Sequence, residues 1–98
     1  MKMYCVFDEQ FNIFSDPFLA LDNNAAERIV IQSASVLPEI RARMNMTSLY
    51  LVAEFTPDSL LPVYVHDGLP LLVSCSERLV TLCEVSEHKL KKEDSFNG

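Results

Sequence analysis

Glycine is nearly missing from this chain of 98 residues, occurring only at Gly68 and Gly98. A loop that cradles phosphate needs close backbone approach at several glycines, so this scarcity excludes the common nucleotide-dependent enzymes. Long apolar runs are missing as well: none approaches the roughly 18 residues a membrane-crossing helix needs. Cysteine is sparse and odd in number. Cys5, Cys75 and Cys83 contain no CxxC pair, which makes a poor disulfide framework and points to reduced, mostly buried thiols. Cys75 and Cys83 have seven residues between them and no histidine close behind, which is not the paired spacing of a zinc site. Basic charge is short too, with 8 Lys and Arg against 14 Asp and Glu for a net charge of −6. Affinity for a phosphate backbone comes from clustered cations, so this balance argues against a surface devoted to nucleic acid or anionic lipid while leaving room for a local basic patch.

What is present is enough apolar material for one domain. Hydrophobic residues make up 49% of the chain and aromatics 9%, too much for a disordered protein. A chain of this length buries about two-thirds of its unfolded surface, which supports a single core without disulfides or a structural metal. The start, Met1-Lys2-Met3-Tyr4-Cys5-Val6-Phe7-Asp8, is cut short by acids before it can form the apolar core of a signal peptide, so a cytoplasmic location is expected. No internal repeat is visible.

The apolar patterning divides into elements. Met3 to Phe7 and Phe11 to Phe14 flank Asp8-Glu9-Gln10 and predict a β-hairpin, ended at Ser15-Asp16-Pro17-Phe18. Asn24 with Glu27 three residues on fits a capping box. The helix that follows has Ala26, Val30, Ala34 and Leu37 at helical spacing, widened by Ile29, Val36 and Ile40. Pro38 ends or kinks it and suits the first turn of a short second helix through Arg43. Leu49 to Phe55 is the clearest strand. Both its faces are apolar, which predicts a partly covered, central position. Thr56-Pro57-Asp58-Ser59 reads as a turn, Leu60 to Val65 as the returning strand with Pro62 biasing it to an edge, and His66-Asp67-Gly68 as a second turn. Leu71 to Ser74 and Leu79 to Val85 are apolar enough for strands, although Ser76-Glu77-Arg78 equally suits the start of a short helix. The polar stretch 87–98 reads as a frayed or disordered tail beyond a domain of residues 1–86.

Few residues invite chemistry. A cysteine nucleophile needs a base and an orienting group, and His66 with Asp67 is the only such pair in the sequence, where His-Asp-Gly more often makes a turn. The acid pairs Asp8-Glu9 and Glu93-Asp94 fall in a turn and in the polar tail, where they solvate the chain. No catalytic residue, cofactor or metal is therefore expected. The one charge asymmetry is Arg41 and Arg43 at the end of the helical region, with Lys89, Lys91 and Lys92 in the polar tail. Cations there favour the helix dipole. The other reading is a small patch for single-stranded nucleic acid, with Arg41 and Arg43 as cations and Tyr50, Tyr4 or Phe7 as stacking surfaces.

The order of motifs adds what composition does not. Met1-Lys2-Met3-Tyr4-x-Val6-x-Asp8, then Pro17-Phe18, then Ala26-x-Arg28, then Leu49-Tyr50-x-Val52-x-x-Phe55 resembles the small nonstructural protein of the gokushovirus branch of the Microviridae, the tailless single-stranded DNA bacteriophages. The resemblance covers about the first 55 residues. Ala53 stands where such proteins commonly carry glycine. It implies a phage-encoded, non-virion protein of the bacterial host cytoplasm that supports genome replication or the passage of single-stranded DNA into procapsids. It supplies no catalytic residues.

The expected fold is α+β, a small antiparallel sheet of four or five strands with one main helix packed on one face, and a core of Val6, Ile13, Phe18, Ile29, Val30, Leu37, Leu49, Leu51, Val63 and Leu72. Edge pairing or the uncovered sheet face offers a route to a homodimer. The expected function is that of a non-enzymatic accessory protein in DNA replication or packaging, binding single-stranded DNA or a replication or capsid protein. The alternative is an acidic adaptor that engages a host protein without touching DNA.

Overall fold

The computed structural model describes residues 1–55, 62–64 and 68–97, without the side chains of 62–64 and 91–97. It is an α+β fold. The first strand, β1 (Lys2–Asp8), turns back through a tight loop whose geometry is set by Asp8: its Oδ1 accepts from the backbone N–H of Gln10 and Phe11 at 2.9 and 3.1 Å. Asn12 then adopts φ 54°, a left-handed conformation that asparagine tolerates better than most residues. The return strand comes in two pieces, β2 (Ile13–Phe14) and β3 (Phe18–Ala20), both antiparallel to β1 and separated by the segment that contains Pro17. Proline has no N–H to give the ladder, so the strand breaks where it stands.

Helix α1 (Asn23–Val36) follows. Its cap is Asp22, whose Oδ1 accepts from Ala25 N–H at 2.8 Å, rather than Asn24. Glu27 is not part of a capping box either; its carboxylate turns inward. Leu37 ends α1 in an extended conformation, as proline at the next position requires, and Pro38 opens the short helix α2 (Pro38–Ala42). A single 3-10 turn, Met44–Met46, leads into β4 (Thr47–Phe55), which lies antiparallel beside β1 in the middle of the sheet, as its two apolar faces require.

Beyond β4, the segments β5 (Pro62–Tyr64) and β6 (Leu71–Ser74) both pair with β4 on the edge away from β1. They form a second broken return strand. The six strands among the described residues thus fill four positions across the sheet. Helix α3 (Ser76–Asn97) completes the chain. The ambiguity at Ser76-Glu77-Arg78 resolves to a helix, so Leu79 to Val85 is not a strand. The polar stretch from Glu87, expected as a frayed or disordered tail, is the second half of α3. Lys and Glu are its commonest residues, and these are good helix formers that extend an already nucleated helix. The turn at Thr56-Pro57-Asp58-Ser59, together with His66 and Asp67, lies outside the described residues. Gly68 has φ 90°, open to glycine without strain.

The topology shows a repetition that the sequence hides. A strand, a broken antiparallel return strand and a helix occur twice, with β1 and β4 as antiparallel neighbours at the centre. Both long helices cover the same face, so the sheet carries two principal helices rather than one.

Their core joins Tyr4, Leu49 and Leu51 from the sheet, Ala26, Val30 and Ala34 from α1, Met44 from the 3-10 turn, and Leu79 and Cys83 from α3. Burying a leucine or a ring of this size stabilises the fold by roughly 1.5–3 kcal/mol each. Val30, Leu49 and Leu51 meet the expectation, while Val6 and Phe18 are half-buried. Ile13, Ile29, Leu37 and Leu72 do not: all four are exposed. Ile13 and Ile29 border an open groove, Leu37 sits at the α1–α2 break, and Leu72 lies on the sheet face without helices. The side chain of Val63 is outside the described residues.

Candidate functional site

Among the polar side chains, the arginines determine what the surface offers. Arg41, in the last turn of α2, donates from Nε to Glu87 of α3 and so ties those two helices together. Arg43 donates from Nη2 to Asp8 Oδ2, and its guanidinium lies 5.1 Å from the centre of the Phe11 ring, fastening the end of α2 to the hairpin loop. Both cations are spent inside the fold. Tyr50 is not beside them. It alternates with the core residues Leu49 and Leu51, and therefore faces the side of the sheet without helices. There its ring meets Phe7 and Phe14 edge-on at 6.1 and 5.6 Å between centroids. The structure does not gather Arg41, Arg43 and Tyr50 into one patch.

The remaining cations follow the same pattern. Lys2 stands 3.7 Å from Glu54 on the neighbouring strand. Arg78 of α3 makes a two-pronged contact with Glu27 of α1, Nε to Oε2 at 2.5 Å and Nη2 to Oε1 at 3.1 Å. Ser74 of β6, itself buried, donates its hydroxyl to the same carboxylate. Glu27 is only 7% exposed, and its pKa is lowered from the ordinary value, chiefly by the Arg78 hydrogen bond with help from Ser74 against the opposing cost of burial. This triad joins α1, β6 and α3, and among the described residues no buried side-chain nitrogen or oxygen lacks a hydrogen-bond partner. Among the described side chains, Arg28 of α1 and Lys89 of α3 have no ion-pair partner.

Two of the three thiols are taken up by the interior. Cys5 and Cys83 are buried, and burial raises both pKa values, which disfavours the thiolate that nucleophilic chemistry needs. Cys75 is exposed. His66 and Asp67, the only partners the sequence offers a cysteine, lie outside the described residues. Among the described residues no group of three or more His, Cys, Asp or Glu side chains is placed to hold a metal ion. No helix there is long and apolar enough to cross a membrane.

What the fold leaves open is apolar. A groove of about 620 Å³ runs between the β1–β2 hairpin and the α1–α2 helices. Phe11, Ile13, Phe14 and Phe18 form its hairpin wall; Ile29, Val30, Ile40 and Met44 form its helical wall. Asp8, Glu39 and Arg43 supply its polar rim, where the Asp8–Arg43 pair is already closed. Beside the groove Pro17 interrupts the return strand and Pro38 the helix, and Ile13 on its hairpin wall is 61% exposed. The sequence placed Ile13 and Ile29 in the core and so missed this wall; their apolar character was legible, their lack of a partner was not. Comparison of the chain with protein-family models, with characterised proteins and with solved structures yields no match.

Proposed function

We propose that this is a non-enzymatic binding protein whose partner is another protein, held by the apolar groove between the hairpin and the α1–α2 helices. The exposed hairpin wall at Phe11, Ile13 and Phe14 carries this reading, because contiguous exposed apolar surface with a polar rim is what protein contacts use. Binding single-stranded DNA through Arg41, Arg43 and Tyr50 is the weaker reading: the arginines have intramolecular partners, and the tyrosine faces elsewhere. The resemblance to the gokushovirus nonstructural proteins supplies the setting, which is replication or packaging of a single-stranded DNA genome in the bacterial host cytoplasm. The net charge of −6 favours a basic partner, steered by long-range attraction, whether phage-encoded or a host factor.

The test is affinity capture from cells in which the chain is produced, comparing the unaltered chain with Ile13→Asp and with the Arg41→Ala, Arg43→Ala double variant. A partner kept by the unaltered chain and the double variant but lost by Ile13→Asp supports the groove. A partner lost only with the arginines would transfer the site to them.

A further inference from the structure

The polar side chains that line the groove are Asp8, Ser15, Ser33, Glu39, Arg43 and Thr47, and all but Glu39 are engaged within the chain. Asp8 caps the hairpin turn through Oδ1 and receives Arg43 on Oδ2. The Ser15 hydroxyl accepts from Val6 N–H at 3.0 Å and donates to the Asp16 carbonyl. Ser33 donates back to the Ile29 carbonyl at 3.0 Å, and Thr47 to the Arg43 carbonyl at 2.8 Å. Glu39 differs: among the described residues its carboxylate has neither a hydrogen-bond donor nor a cation. Its place in the first turn of α2 suits the helix dipole and leaves the side chain exposed at the rim.

The backbone of the walls has little to offer either. The helical wall satisfies its own N–H and C=O groups. The hairpin wall is a sheet edge, yet a poor template for an added strand: β2 has only two residues, Ser15 already donates its N–H to the Val6 carbonyl, and Pro17 has none to donate. A segment that enters the groove therefore gains apolar contact and one negative charge, but no run of backbone partners. It has to satisfy its own backbone groups, which an α-helix does and an extended strand does not. On the reading that the groove is the binding surface, we infer that its occupant is an amphipathic α-helix of the partner. Apolar side chains at i, i+3 or i+4, and i+7 face Phe11, Ile13 and Ile29, and a lysine or arginine at the edge of that stripe pairs with Glu39. The apolar stripe supplies the affinity. The exposed ion pair selects basic over acidic helices by roughly two- to five-fold, and the net charge of −6 favours the approach of the same partner.

The test is selection from a random peptide library on the full chain, with counter-selection on Ile13→Asp and circular dichroism to show that each variant is folded. One recovered peptide is then synthesised, labelled and titrated by fluorescence anisotropy. The expected sequences repeat apolar residues at helical spacing beside a lysine or arginine, and the peptide gains helical signal on binding. Glu39→Gln weakens it roughly two- to five-fold. Glu39→Lys weakens it further, and exchanging the basic residue of the peptide for glutamate restores the affinity. Groove-dependent peptides with apolar residues at alternate positions, or with affinity indifferent to Glu39, overturn the inference while the groove stays the binding surface. Peptides that bind Ile13→Asp as well as the unaltered chain overturn the groove reading with it. Recovery of no peptide overturns the helical occupant, and so does a concentration-dependent dimer in sedimentation velocity that Ile13→Asp abolishes, which would give the groove to a second copy.

Discussion

Replacing Glu27 with alanine removes a buried carboxylate that joins both principal helices to the sheet. The loss has two parts. A hydrogen bond to a charged acceptor contributes about 1.5–3 kcal/mol, and the Ser74 hydroxyl, buried at 1% exposure, would be left without its acceptor at a further cost of about 1 kcal/mol or more. Against this, alanine is the better helix former by a few tenths, and a buried charge no longer needs to be desolvated. Arg78 is half-exposed and returns to water with little penalty. The net expectation is about 2–3 kcal/mol, which for a domain of this size lowers Tm by roughly 10–20 °C. Thermal and urea unfolding measure it directly. Glu27→Gln, which keeps an acceptor for Ser74, should lose less. A loss below about 0.5 kcal/mol for Glu27→Ala would refute the role given to this carboxylate.

The same group sets a pH dependence. Its folded pKa lies below its ordinary value, so the unfolded chain binds the proton more readily, and the stabilisation is complete above the unfolded pKa and lost as pH falls through the folded one. Urea midpoints measured from neutral pH into the acid range should therefore fall more steeply for the unaltered chain than for Glu27→Gln, the two converging toward low pH. Leu79→Ala opens a cavity where α3 meets the sheet and should cost about 2–5 kcal/mol by urea unfolding, whereas Leu90→Ala, on the exposed side of α3, should stay within about 0.5 kcal/mol. A thiol reagent added to the native chain should modify Cys75 quickly and reach Cys5 and Cys83 only on unfolding; three thiols reacting at one rate would contradict the burial described.

The elements that local chemistry determines were legible in the sequence. Proline at 17 and 38 marked two breaks, the apolar run at Leu49 to Phe55 marked the central strand, and Asp8-Glu9-Gln10 marked the hairpin turn. What escaped depends on contacts between distant segments. Glu27 stands three residues before Val30 and seven before Ala34, on the buried stripe of α1, yet nothing in the sequence ties it to Ser74 or Arg78, 47 and 51 positions away. Tyr4 and Met44 are fully buried because residues from several elements close over them, an outcome their own neighbourhoods do not encode. Conversely Ile13, Ile29 and Leu72, in strands and a helix, and Leu37, between α1 and α2, are apolar yet exposed.

That surplus is also the functional signal. A candidate site read from charge selected Arg41 and Arg43, residues whose charges the fold consumes at Glu87 and Asp8. Among the described residues the hairpin groove remains available, and its lining includes Ile13 and Ile29, which looked like core. Patterning identifies apolar residues reliably; it does not say whether the matching surface lies within the same chain or on a partner.

The most direct measurement is fluorescence anisotropy of a labelled single-stranded oligonucleotide titrated with the purified chain at low salt, where electrostatic attraction is strongest. With Arg41 and Arg43 engaged and the net charge at −6, no saturable binding is expected, and Arg41→Ala with Arg43→Ala changes nothing. Saturable binding that weakens steeply with added salt and is lost in the double variant would contradict the account and return the function to DNA.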